Sequence, residues 1–315
     1  MNLQDHTILG IDIGSHKISA IITTKDSNNH IEVIGVGKAP SKGIQKGLIT
    51  NIDLASNSIK QALTLANQIA GTEIDSTVVS ISGSYIQTTD SYGVVNIPNK
   101  EISLDEINRV MQMANHNANE LPDYEKLHVI PYEFQVDKQN NVDDPIGMSG
   151  SRLEVKAHVI SANSISLGNL KKALKKAGVK PDNFVYTGYA SSIAVLEDDE
   201  KELGVATIDL GSHGCELNIF LNNNLVHSEF LEIGSNSITS DLAMALHTSL
   251  DVAEDLKIKY ATLKPCSDTQ ITIPKIADEE VNRTVSLERV LQVIYARLEE
   301  TFIIIAKMVE KTNLQ

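Results

Sequence analysis

Cysteine is nearly missing from this chain, with only Cys215 and Cys266 among 315 residues. Two thiols without metal-ligand spacing make neither a disulfide framework nor a thiolate zinc site. A reducing cytoplasm suits such usage. Long apolar runs are missing as well. The longest purely aliphatic stretch is Phe302-Ile303-Ile304-Ile305-Ala306, far short of the roughly 20 residues that span a bilayer. The N-terminal residues Met1 to His6 are polar and lead directly into a strand, so a signal peptide is not expected there. Positive charge is scarce. Lys and Arg number 27 against 41 Asp and Glu, for a formal net charge of −14 and a pI near 5.1. Nucleic acid is therefore not expected as a partner. The one dense basic stretch, Lys171-Lys172 and Lys175-Lys176, reads as the solvated face of a helix.

What the sequence does contain is a near-duplicate hexapeptide. Ile11-Asp12-Ile13-Gly14-Ser15-His16 returns as Ile208-Asp209-Leu210-Gly211-Ser212-His213, 197 residues later. Apolar residues precede and follow each copy, so each reads as strand, Asp, Gly-containing turn, strand. The glycine lets the backbone turn sharply and aim several N–H groups at one anion. The aspartate at the strand end suits a hydrated Mg²⁺ beside that anion. Two copies suggest two domains that clamp one nucleotide, and 315 residues suit two large lobes.

Between and beyond the copies the pattern is mixed α/β. A strand is expected at Ile31–Gly37, then a helix capped by Asp53 with Leu54, Ile59, Ala62 and Ala66 on its apolar face. A buried strand follows at Thr77–Ser82. From about residue 84 the style changes: the capping box Ser103-Leu104-Asp105-Glu106 opens a helix to about Ala118. Strands at Leu127–Phe134 and Arg152–Ile160 flank the turn-rich loop 143–150. A helix from Ser166 to Ala177, a strand at Asn183–Tyr186 and a small-residue helix at Tyr189–Leu196 come next. The acidic run Glu197–Glu202 reads as a loop into the second copy. Beyond it, Gly234-Ser235 opens a helix whose N-terminus favours phosphate. Helices at Val252–Tyr260 and from Ser286 to about Lys311 complete the chain.

Several side chains carry two readings each. Lys17 is either a phosphate-reaching point charge or an exposed turn lysine. His16 and His213 offer backbone N–H groups, or a metal pair for which no third ligand is spaced suitably. Glu254 and Lys257, three apart on one helix, fit a ribose or adenine edge, or a surface ion pair.

These residues bear a resemblance. The two-hairpin clamp is similar to the ATPase superfamily of actin, sugar kinases and heat-shock chaperones, and within it the chain resembles the bacterial cell-division family FtsA. The segments that match are Leu127–Pro131, Pro145–Arg152, Gly188–Ser192, Glu202–Val205, Thr239–Leu242 and Ala253–Lys257. The resemblance covers essentially the whole chain.

It implies an α/β, actin-like two-lobe fold with ribonuclease-H-like sheets and an FtsA-type α+β insertion in the first lobe. The first lobe core would be residues 1–83 and 163–202, with the insertion at 84–162. The second lobe core would be 203–247 and 286–315, with a small subdomain at 248–285; the 286–311 helix fits either. ATP and Mg²⁺ would bind with Asp12 and Asp209 at the metal, through water. The phosphates would meet Gly14, Ser15, His16 and Lys17 on one side. Gly211, Ser212, His213, Gly214, Gly234 and Ser235 would meet them on the other, and Glu254 and Lys257 would face the adenosine.

The family implies actin-like protofilaments, a dock for the FtsZ C-terminal tail, recruitment of later division proteins and a place at the cytoplasmic face of the inner membrane. Arg289 and Arg297 are the candidates for the acidic tail, against solvated helix arginines as the other reading. Three departures qualify this. The second turn has Ser212-His213-Gly214-Cys215 where many relatives have a glycine run and threonine. Thr187-Gly188 stands where chaperone and kinase relatives carry an acidic residue, so at most slow ATP hydrolysis is expected. The chain ends at Gln315, before the family's Gly-rich adenine segment and membrane helix, which implies impaired nucleotide retention and no anchor of its own. A small-molecule kinase, or a pilus-assembly or cell-shape protein of the same superfamily, is the alternative.

Overall fold

The computed structural model describes residues 6–26, 30–118, 122–263, 269–274, 283–312 and 314; Cys266 lies outside them. The chain forms two compact units, Met1–Asp209 with Glu216–Glu232, and Leu210–Cys215 with Ile233–Gln315.

The first unit begins with β1 (His6–Ile13), β2 (Lys17–Lys25) and β3 (Ile31–Pro40), paired antiparallel in sequence. Strict alternation buries Leu9, Ile11 and Ile13 of β1 on one face. A short hairpin of β4 (Ile44–Gln45) and β5 (Leu48–Ile49) leads to helix α1 (Ile52–Ala70). The cap of α1 is Asn51, not Asp53: the Asn51 carboxamide oxygen accepts from the N–H groups of Asp53 and Leu54, both at 3.0 Å. Asn and Asp cap about equally well, so residue type alone left the start ambiguous. Asp53 instead sits in the first turn, where its charge suits the helix dipole, and pairs with Lys176. Strand β6 (Ser76–Ile81) then lies parallel to β1.

The next stretch builds its own layer pair. It consists of β7 (Ile86–Asn96), α2 (Leu104–Asn117), β8 (Tyr124–Val136), β9 (Gln139–Val142) and β10 (Arg152–Asn163). Its sheet runs β7-β10-β8-β9. Val110 and Ala114 of α2 pack with Leu153, Val155 and Ala157 of β10 in a separate apolar cluster. The Ser103–Glu106 capping box is formed at the start of α2.

Helix α3 (Ser164–Lys176) and strand β11 (Asn183–Tyr186) return to the first sheet, whose order is β11-β6-β1-β2-β3. Helix α4 (Thr187–Val195) follows. The acidic run expected as a loop is a helix, α5 (Asp198–Leu203). Its charge is the reason: Glu200 reaches back to the Glu197 N–H at 2.9 Å, Lys201 pairs with Asp198 at 2.6 Å, and acidic residues fill the N-terminal turn. Then β12 (Val205–Leu210), β13 (Cys215–Leu221) and β14 (Asn224–Leu231) form a three-stranded sheet. Contacts hold Glu216–Glu232 in the first unit, with the Thr88 hydroxyl of β7 donating to the Ser228 carbonyl of β14 at 2.8 Å.

The second unit contains α6 (Ser235–Leu246), α7 (Leu250–Tyr260), the hairpin β15 (Gln270–Ile273) with β16 (Arg283–Ser286), and α8 (Leu287–Lys311). Leu242, Ala253, Ile273, Val290 and Ile294 centre its core. Among the described residues, no helix is long and apolar enough to cross a membrane.

The cap assignment is testable by urea denaturation. Asn51→Ala should cost about 1 kcal/mol, whereas Asp53→Ala, which removes an exposed ion pair, should cost a few tenths. Equal losses would return the cap to Asp53.

Candidate functional site

The duplicated turns are built alike. The Gly14 N–H donates to the Lys17 carbonyl at 3.1 Å, and the Gly211 N–H donates to the Gly214 carbonyl at 2.9 Å. Neither glycine takes a positive φ, so conformational freedom is not what selects them. Space is. A Cβ on Gly14 would lie 2.7 Å from the Lys17 oxygen, and one on Gly211 would lie 2.9 Å from the Gly214 oxygen. In the first turn the Ser15 hydroxyl accepts from the Gly47 N–H at 2.9 Å. His16 and Lys17 are exposed. The His16 carbonyl accepts from Ser41 N–H at 2.9 Å, and Lys17 lies within electrostatic reach of Asp12.

Each duplicated aspartate is held by a serine from another element. Ser80 of β6 donates its hydroxyl to Asp12 at 2.8 Å. Ser191 of α4 donates to Asp209 at 2.6 Å. Burial pushes the Asp12 carboxyl above its ordinary value; the Ser80 hydroxyl opposes this, Asp209 adds to it, and Lys17 opposes it. The two aspartates therefore feel each other's charge.

A third carboxyl joins them. Glu216 of β13 is 3% exposed. Burial pushes it up to about 8, against a hydrogen bond from Ser82, with Asp209 and Asp12 raising it further. Its Oε1 has no hydrogen-bond partner among the described residues, and neither end of the Asn218 carboxamide has one. Gly188 of α4 presses on both: a Cβ there would lie 2.5 Å from Asn218 Nδ2 and 3.0 Å from Glu216 Cβ. The sequence reading missed Glu216. The repeat contained the signal, since Ser19 pairs with Asp12 across the first hairpin, and the 197-residue offset carries Ser19 onto Glu216.

In the second unit, Gly234 lies against the second turn, where a Cβ would be 2.4 Å from the Ser212 oxygen. The Ser235 and Asn236 N–H groups at the start of α6 donate to the Gly211 and Ser212 carbonyls at 2.9 and 2.8 Å. These helix N-terminal donors thus satisfy the turn itself, and what Ser235 retains for a ligand is its side chain. Ser212, His213 and Gly214 are half-buried. Glu254 and Lys257 form an ion pair at 2.7 Å. Lys257 also donates to the Thr239 hydroxyl at 2.9 Å and to the Ser235 carbonyl at 3.2 Å, so the pair ties α7 to the first turn of α6. On α8, Arg297 grips Asp241 through two nitrogens, at 2.5 and 3.1 Å, and reaches Glu300 at 2.6 Å. Arg289 makes a longer contact, 3.4 Å to the Ala245 carbonyl. Among the described residues, no group of three or more His, Cys, Asp or Glu side chains is arranged to hold a metal ion directly.

Glu216 should leave a signature in the pH dependence of stability. Between its ordinary value of 4.5 and about 8, the folded chain keeps a proton that the unfolded chain releases. Its contribution is complete below the lower value and is lost as pH rises through the upper one, at up to about 1.4 kcal/mol per pH unit. Glu216→Gln should flatten the fall in urea-unfolding free energy across that window. A slope equal to the parent's would show that Glu216 holds no such proton.

Comparison with known proteins follows the same lines. Residues 83–161 match the family model described as the SHS2 domain inserted in FTSA, and residues 206–297 match the model of cell division protein FtsA. The chain is 33% identical to cell division protein FtsA of Pseudomonas aeruginosa over 313 residues, covering 98% of this chain and 74% of that protein. It is 34% identical to the Neisseria meningitidis protein over 318 residues, covering 99% and 76%. Among solved structures, the PilM-PilN type IV pilus biogenesis complex is similar with a TM-score of 0.66 at 15% identity, over 98% of this chain and 78% of that one. MreB5 of Spiroplasma citri bound to ADP has a TM-score of 0.55 at 10% identity, over 97% and 79%. These likenesses establish the actin-like fold and the inserted SHS2 domain, and the chain belongs to the FtsA family of cell-division proteins.

Proposed function

We propose that this chain is an ATP- and Mg²⁺-binding scaffold of cell division. In this reading it polymerises as actin-like protofilaments, docks the FtsZ C-terminal tail, and links the division ring to the cytoplasmic face of the inner membrane while recruiting later division proteins. The observation that carries the nucleotide part is the pair of matched turns, each preceded by an aspartate oriented by a serine hydroxyl, with the two carboxylates in mutual electrostatic reach. Two like charges held near each other at partial burial favour a shared cation.

The donor set fits Mg²⁺ held through its water shell, because hard carboxylate oxygens are present but no dense direct cage is. When bound, Mg²⁺ would neutralise phosphate charge and order the phosphate oxygens. Asp12 and Asp209 would accept hydrogen bonds from its waters, and the Ser80 and Ser191 hydroxyls would keep one oxygen of each carboxylate in place. Gly14, Gly211 and Gly234 keep side chains out of the turns. Thr187-Gly188 supplies no carboxylate to take a proton from attacking water, which supports at most slow hydrolysis. A sugar or small-molecule kinase would need an ionised base, so the scaffold reading is preferred.

On the tail-binding helix, Arg289 is the better candidate, because the Arg297 guanidinium is occupied by Asp241 and Glu300. Arg297→Ala should lower the thermal stability of the chain, whereas Arg289→Ala should leave it unchanged and weaken FtsZ tail-peptide binding in a polarisation assay. A parent chain that ignores the peptide would end the docking proposal.

For the nucleotide, Asp12→Ala and Asp209→Ala should each weaken Mg²⁺–ATP binding at least tenfold in calorimetry while the urea midpoint stays near the parent's. Equal affinity would reduce the turns to structural hairpins.

A further inference from the structure

The short hairpin of β4 and β5 plays no part in that reading, yet it is built against the first turn. Its two-residue loop is Lys46-Gly47, with φ of 51° and 79°, the left-handed pair of a type I′ turn. Gly47 has no room for a side chain, since a Cβ would lie 2.1 Å from the Ser82 oxygen. Its N–H donates to the Ser15 hydroxyl at 2.9 Å. The hairpin tip is thus wedged between the first turn and the end of β6. Lys46 makes the other connection. Its Nζ lies 3.2 Å from Glu232 Oε2, and Glu232 also accepts from Ser84, which with Lys46 holds its carboxyl below the ordinary range.

Glu232 is the last residue of the first unit before the chain passes into the second. Contacts within the first unit therefore run from Ser15 to Gly47, along the backbone to Lys46, and across to Glu232.

We propose that Lys46 is a positioning residue for the first anion-holding turn. It acts through Glu232, so that the hairpin stays seated on Ser15. The inference rests on the nucleotide reading above, and Lys46 itself need not touch phosphate. The exposed pair is individually weak. Its effect is therefore one of geometry, and a modest change in affinity is what it should produce.

The test compares Lys46→Gln, Glu232→Gln and the charge-swapped Lys46→Glu/Glu232→Lys with the parent 315-residue chain. Without nucleotide, amide hydrogen exchange at Gly47, whose N–H donates to Ser15, should quicken in both single variants and return toward the parent rate in the swap. With Mg²⁺–ADP as the probe, each single variant should bind about two- to fivefold more weakly, and the swap should recover most of the loss. Unchanged exchange in the single variants overturns the latch. Faster exchange with unchanged ADP affinity overturns its role in anion binding. A parent that binds no ADP refutes the nucleotide reading and the positioning role with it, while the exchange rates still decide whether the latch exists.

Discussion

Two carboxylates of like sign, Asp12 and Asp209, stand within electrostatic reach of each other though 197 residues separate them in the chain. Burial raises the Asp12 carboxyl above its ordinary value, and the Ser80 hydroxyl of β6 works against that rise. Ser191 of α4 holds Asp209 by the same kind of bond. The serines sit on different elements, so the order of the first sheet and the placement of α4 are both needed to orient the aspartates. The third carboxyl, Glu216, is pushed up to about 8 by burial against a single opposing bond from Ser82. Environment thus sets apart two aspartates, each oriented by a serine hydroxyl, and one buried glutamate beside them.

The second turn is organised by different means. Its carbonyls at Gly211 and Ser212 are satisfied by the first N–H groups of α6. A helix N-terminus normally leaves such donors free for anions. Here they brace the turn, and Lys257 braces the start of α6 in the same way from α7. The second turn, with Ser212 and His213 beside its glycines, thus gains rigidity from the helix behind it. That arrangement favours a site that holds its shape over one that reshapes around each ligand.

The duplication, the capping box at Ser103 and the strand alternation were legible because each is local in sequence. Hydrogen-bonded caps and period-two burial are set by neighbours a few residues apart. Two local expectations failed for equally physical reasons. At the start of α1, Asn51 and Asp53 are both good caps, and only backbone geometry distinguishes them. At Glu197–Glu202, a run of like charge looks like a loop, but reciprocal capping and an i,i+3 ion pair make it a helix. Glu254 and Lys257 were visible as a pair, yet their attachment to Thr239 and Ser235 was not.

By itself the sequence determined the two aspartate turns, the α/β character and the family, since all three are written in short motifs and their repetition. Tertiary structure alone decided which groups share one electrostatic environment. Glu216 is an unremarkable strand residue until Gly188 and Ser82 close over it. Arg297 is a solvated arginine until Asp241, 56 residues away, takes two of its nitrogens. Burial and long-range pairing set protonation and availability, and neither can be read from residues taken in order.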